Sequence, residues 1–228
     1  LNFHNRLDIN SIEVDFVAKG FKGLPDISGQ FKAEHRGEPI VIVQPFAENR
    51  PLYSHKALMP VVGDLEFGSE KSVFASGSSA MVLDDHKGYY PMTMQYDWVT
   101  GLGQSDKGVL QGFNLTDNQI LEPEKYNENC LWHHGLMTPL PPISVRRPGG
   151  VHQRWEVSDE GGHVKLGFTP LADVPVKQNY GISKVDYHGP TGVFDGYIQI
   201  PDEADSSKMV RFSFDGFIGM GEKKYIRM

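Results

Sequence analysis

Twenty-five glycines and fifteen prolines punctuate the 228 residues of this chain so often that long helices have no room to form. Between these breaks the residues alternate. Ile12, Val14 and Phe16 interleave with Ser11, Glu13 and Asp15, the two-residue period of a half-buried strand. Residues 40–43 form a β-branched run suited to burial on both faces. The same reading predicts strands at 71–83, 91–100, 108–115, 129–136, 152–157, 163–168, 192–200 and 210–218. Turn residues punctuate them at Asp159-Glu160-Gly161-Gly162, His188-Gly189-Pro190 and Asp195-Gly196. Many short strands with regular turns describe an all-β chain, folded as an antiparallel sandwich or barrel.

Two segments depart from that pattern. Residues 116–128 are polar and read as a loop with a helical turn. Thr138-Pro139-Leu140-Pro141-Pro142 is a stiff connector, because proline cannot donate to a central ladder. Pro148-Gly149-Gly150 follows Arg146-Arg147 and marks a lobe boundary. The expected division is an N-terminal β lobe, 1–147, carrying the candidate site, and a C-terminal β lobe, 148–228.

Charge and cysteine usage exclude several function classes. A net charge of −7 gives no broad cationic face for nucleic acid. One cysteine, Cys130, cannot form an internal disulfide or a Cys-rich zinc module, and it suits a reducing, cytoplasmic setting. No apolar run approaches the ~20 residues of a membrane helix. No signal peptide is visible from Leu1 onward, so Asn114-Leu115-Thr116 counts as a glycan acceptor only in a secreted protein. No glycine-rich phosphate loop and no Gly-x-Ser-x-Gly elbow appears, and no cofactor is expected.

The chemistry concentrates in Asp84-Asp85-His86 and the aromatic run that follows. Alternation puts Val82, Asp84 and His86 on one face and Leu83 and Asp85 on the other, unless a turn near Lys87-Gly88 intervenes. A carboxylate beside an imidazole suits acid–base work near neutral pH. Downstream, Met92, Met94, Tyr96 and Trp98 share a face, with Thr93, Gln95 and Asp97 opposite. The first set reads as an adaptable apolar wall with polar tips, or simply as core. A second cluster, 126–135, holds Glu128, Cys130, Trp132, His133 and His134. These residue types could form a zinc or iron sphere of His86, Glu128 and one of the paired histidines, but the spacing matches no standard motif and no metal is expected. Glu222, beside Lys223 and Lys224, reads as a solvated strand end.

Motifs along most of the chain resemble an uncharacterised bacterial lipocalin-like family, domain of unknown function 2804. It is distantly related to the carotenoid hydratase-like and kievitone hydratase-like proteins. The resemblance runs through Tyr53-Ser54-His55-Lys56, Leu83-Asp84-Asp85-His86-Lys87-Gly88-Tyr89-Tyr90-Pro91, Tyr96-Asp97-Trp98, Gly112-Phe113-Asn114-Leu115 and Asn127-Glu128-Asn129. It continues in Trp155-Glu156-Val157, Leu166-Gly167-Phe168-Thr169-Pro170 and Gly221-Glu222. The family usually has tryptophan and arginine where this chain has Asp85 and Lys87. The resemblance implies lipocalin-like barrels or a sandwich in two lobes, the first incomplete at its N-terminus, and a pocket for a hydrophobic small molecule.

Three functions are compatible with these residues. The first is a cofactor-independent hydratase, dehydratase, isomerase or cyclase acting on a hydrophobic oxygenated molecule. Asp85, His86 and Glu128 are its catalytic candidates. Asp84, Met94, Tyr96, Asp97, Trp98, Asn114, Trp132, His133 and His134 are its ligand-binding candidates. The second is a non-catalytic carrier using the same pocket, and the third a β-domain without ligand. Exposed sheet edges leave room for a homo-oligomer.

Overall fold

Nearly every predicted strand forms, and the strands sort into two antiparallel sheets that meet along one seam. The computed structural model describes the backbone of residues 1–228 and every side chain but that of Leu7. The first sheet takes β1 (Asn2–Arg6), β2 (Ser11–Ala18), β3 (Ile27–Glu34), β4 (Ile40–Pro45), β5 (Pro51–Phe67), β6 (Glu70–Phe74) and β7 (Ala80–Gly88). Strand β5 is its spine, pairing with β3, β4, β6 and β7. The expected strand at 71–83 is therefore two, β6 and β7, parted at Gly77, whose φ of 90° a side chain rarely tolerates.

The second sheet holds β8 (Thr93–Gln104), β9 (Leu110–Asn118), β10 (Cys130–His133), β11 (Leu136–Pro139) and β12 (Ser144–Arg146). It continues with β13 (Trp155–Ser158), β14 (Val164–Ala172), β15 (Val176–Asn179), β16 (Lys184–His188), β17 (Thr191–Pro201), β18 (Met209–Ser213) and β19 (Phe217–Arg227). It curls into a half-barrel, so that Gln111 on β9 reaches the carbonyl of Ser213 on β18 at 2.7 Å. The chain passes from one sheet to the other between Gly88 and Thr93, whereas Pro148-Gly149-Gly150 joins β12 to its own neighbour β13. Of the stiff connector expected at 138–142, Thr138 and Pro139 instead close the edge strand β11, where proline is tolerated, and residues 140–142 lie outside any strand. The polar stretch after β9 makes one helical turn, α1 (Pro123–Tyr126).

Three readings need correction. The strand expected at 210–218 is two, β18 and β19, parted by the turn at 214–216, where Gly216 has a φ of 80°. The strand expected at 129–136 breaks at His134 and Gly135, whose φ values of 52° and 80° make a tight hairpin between β10 and β11. Asp195-Gly196 is no hairpin turn. It lies inside β17, where a Cβ on Gly196 would meet the Lys165 carbonyl oxygen at 2.2 Å.

Alternation on β5 decides what each sheet buries. Ala57, Met59 and Val61 face the first sheet's own core with Ile12, Ala33 and Leu83. The opposite face reads Leu52, Ser54, Lys56, Leu58, and it forms the seam. At one end of that seam Leu52 packs with Phe46, Met94 and Ile120. At the other, Leu58 packs with Ile40, Cys130 and Trp132. A polar patch lies between the two apolar clusters. Beyond the seam, Phe113, Trp155, Phe168, Phe194, Phe214 and their neighbours fill the curled sheet.

Candidate functional site

Register brings the charges of the seam together. On the paired strands β5 and β7, Lys56 stands opposite Asp84 and Ser54 opposite His86, with no break in register. The second sheet contributes Glu128, just ahead of β10, with Trp98 and Tyr96 from β8 and Thr116 from β9. Lys56 is 1% exposed and Glu128 3%, a depth at which charged groups survive only in pairs.

The pairing is dense. Lys56 Nζ lies 3.2 Å from Glu128 Oε1 and 3.3 Å from Asp84 Oδ2, and 5.0 Å from the Trp98 ring centroid. Thr116 donates its hydroxyl to Glu128 Oε1 at 2.7 Å, and Ser54 donates to Oε2 at 2.6 Å. Since the Ser54 proton is committed to Glu128, its oxygen accepts from His86 Nε2, 3.1 Å away. The same Nε2 lies 3.2 Å from Asp84 Oδ1 and 3.6 Å from Glu128 Oε2. His86 Nδ1 makes no hydrogen bond among the described residues, and the ring is partly open to solvent. Burial alone would raise Glu128, but the Lys56 charge and the bonds from His86, Ser54 and Thr116 outweigh it and hold its carboxyl far below the usual range.

These groups border a cavity of about 150 Å³, the size that accommodates roughly one six-membered ring. Phe46, Leu52, Met94 and Trp98 give it apolar walls, and Asp84, His86, Lys56 and Glu128 one polar wall. Facing them, Glu222 accepts from the Tyr96 hydroxyl at 2.7 Å and from the Tyr187 hydroxyl at 2.8 Å. Burial and the Glu222 charge raise both phenols, which stay protonated donors at neutral pH. Gln44 also borders the cavity. It is fully buried, and its Nε2 has no hydrogen-bond partner among the described residues.

Several expected site residues lie elsewhere. Asp85 stands opposite His55 on the other face of β7, as unbroken alternation requires, and is exposed. It does not share the face of His86. Asp97 turns away from the cavity and pairs with Arg147, with contacts of 2.6 and 3.0 Å. Asn114 supports the wall from behind, accepting from Trp98 Nε1 at 2.6 Å and donating to the Glu128 carbonyl at 2.8 Å. Trp132 packs in the apolar cluster beyond Leu58. His133 and His134 border a separate open groove of about 850 Å³, among the turns at the mouth of the curled sheet. They form no opposite wall to His86. Burial raises the Cys130 thiol, which keeps it protonated at neutral pH.

Sequence reasoning missed Lys56, Ser54, Thr116, Gln44, Glu222 and Tyr187. The signal for Lys56 was a lysine at the centre of an alternating face bounded by Leu52 and Leu58. Glu222 is a correction: it is half-buried against two tyrosines instead of solvated, because Trp98 is its partner in the β8–β19 ladder.

Such a molecule is an all-β protein of two antiparallel sheets with a charged cavity at their junction. A family model described as a domain of unknown function (DUF2804) matches residues 1–228, and the chain belongs to that family. No curated protein matches it. Among solved structures, the crystal structure of CghA is similar over 97% of this chain, with a TM-score of 0.47 and 13% identity. This chain spans 65% of the length of that one. Among the described residues no helix is long and apolar enough to cross a membrane.

Proposed function

We propose that this protein is a cofactor-independent acid–base enzyme of the hydratase, dehydratase, isomerase or cyclase type, acting on an oxygenated and otherwise apolar small molecule in a lipocalin-like pocket. One observation carries the reading: His86 presents a partly exposed ring to the cavity while Ser54, Asp84 and Glu128 surround its Nε2 within 3.6 Å. An imidazole held that way has a fixed orientation, and its Nδ1 is left to exchange a proton with a ligand. Glu128, kept ionised, serves as the anchoring anion, and the proton carrier is His86. The unpaired Gln44 amide and the Lys56 ammonium supply donors for a ligand oxygen, and Tyr96 flanks it. A cavity of about 150 Å³ takes the reacting end of a larger molecule or the whole of a small one.

A second reading is a carrier. It is favoured by the internally partnered wall, in which Lys56 meets two carboxylates and Glu222 accepts from two phenols. One experiment separates the two. The purified chain and His86→Gln are incubated with a small-molecule extract of the native host, and the products are compared by mass spectrometry. An enzyme consumes a compound and yields another, with His86→Gln slower by about 10²–10⁴-fold. A carrier retains a compound of unchanged mass in native mass spectrometry and converts nothing. Equal conversion by both proteins would refute the role given to His86.

A further inference from the structure

Away from the cavity, three connections of the second sheet bring His152, Asp173 and His188 together. His188 ends β16, Asp173 follows β14, and His152 sits on the turn between β12 and β13. Asp173 Oδ2 lies 2.6 Å from His188 Nδ1 and 3.7 Å from His152 Nδ1, and the three ligand atoms lie within 4.8 Å of one another. From the arrangement of these atoms we infer a binding site for a divalent transition-metal ion of the zinc class, with the two Nδ1 atoms and Asp173 Oδ2 as ligands.

The donor set is the mixed imidazole and carboxylate sphere that zinc, cobalt and nickel accept. Ligands about 2.0–2.1 Å from a tetrahedral ion stand roughly 3.3 Å apart. The longer edge to His152 must shorten by about 0.4 Å and the shorter edge to His188 must open by about 0.7 Å, movements within the reach of side-chain rotation. The frame is otherwise prepared. His188 is buried and the Asp173 side chain is only 7% exposed, and the Gly189 backbone N–H donates to Asp173 Oδ1 at 3.0 Å, which leaves Oδ2 to the ion. Trp155 Nε1 donates to the Val151 carbonyl at 2.8 Å and pins the turn beside His152. The His152 side chain is 67% exposed, so an ion has open access and water can complete the sphere.

A second observation points to the same ligand. Asp186 Oδ1 is buried, makes no hydrogen bond among the described residues, and lies 3.7 Å from His188 Nε2 on the far side of the ring and 3.9 Å from Lys177 Nζ, while Oδ2 pairs with Lys223. With Nδ1–H directed at Asp173, a neutral His188 offers Asp186 only a bare nitrogen. When a metal takes Nδ1, the single ring proton is exchanged through solvent to Nε2, where it is aimed at Asp186. The result is a carboxylate behind a metal-bound imidazole, the usual outer support of such ligands.

Calorimetric titration of zinc into the chelator-treated full chain tests this. One ion per chain is expected. His152→Ala, an exposed change that leaves the circular dichroism spectrum intact, weakens binding at least about tenfold, and Asp173→Asn does the same. Cobalt added to the wild type gives the visible bands of a tetrahedral site, and His152→Ala loses them. The inference is overturned if the wild type takes up no ion. It is also overturned if both variants bind as tightly as the wild type, which would assign the ion to other residues such as His133 and His134.

Discussion

Strands β8 and β9 separate two interiors of opposite character. On one face Val99, Phe113 and Leu115 join an aromatic core in which the Phe113 ring meets Phe194 and Phe214 edge-on, both at 4.9 Å. On the other face Trp98, Asn114 and Thr116 join the network around Glu128. Both faces are buried, but they are held by different physics. Dispersion and area burial are graded, so each lost methylene costs a little. A buried ionic network depends on completeness, because one missing partner leaves a charge or a donor without compensation.

Removing a charge tests that contrast most severely. Lys56→Met leaves Glu128 buried without its ammonium and should lower the unfolding free energy by about 3–5 kcal/mol in urea denaturation. Lys56→Met combined with Glu128→Leu should recover most of that loss. A single variant as stable as the wild type would show that the pair does not carry the seam. Acid offers a related measurement. The folded pKa of Glu128 is depressed, so its contribution is present above the ordinary value of 4.5 and is lost as pH falls below it towards the folded value. Unfolding curves taken across that acid range should show wild-type stability falling. In Lys56→Met burial dominates, the carboxyl rises, and the acid loss should shrink or reverse.

A milder pair of changes compares the two interiors directly. Thr116→Val keeps the volume and deletes a hydroxyl bonded to a carboxylate, with an expected loss of about 1.5–3 kcal/mol. Ile198→Val, deep in the aromatic core, deletes one methylene and should cost about 0.5–1.5 kcal/mol. Equal losses from the two changes, read from the same denaturation curves, would dissolve the distinction.

The sequence disclosed the fold class and much of the strand pattern, since a period of two needs only local information. It also disclosed that Asp84 and His86 share a face and that Met94, Tyr96 and Trp98 line one wall. What it withheld is non-local. Lys56 lies 28 positions before its register partner Asp84 and 72 before Glu128, and nothing near Lys56 in the chain marks it as an ion-pair partner. Glu222 is recognisable only once β19 lies beside β8. Asp85 misled for the opposite reason: adjacency in the chain suggested a partnership with His86 that strand geometry forbids.

The polar patch in the seam also settles a question the apolar residues leave open. Slipping β5 by two residues against β7 keeps every side chain on its own face, so hydrophobic patterning alone does not resist it. Such a slip sets Lys56 opposite Val82 or His86 in place of Asp84 and draws its ammonium out of line with Glu128. One buried lysine thereby acts as a ratchet tooth for the first sheet, admitting a single alignment where the greasy residues on either side would accept several.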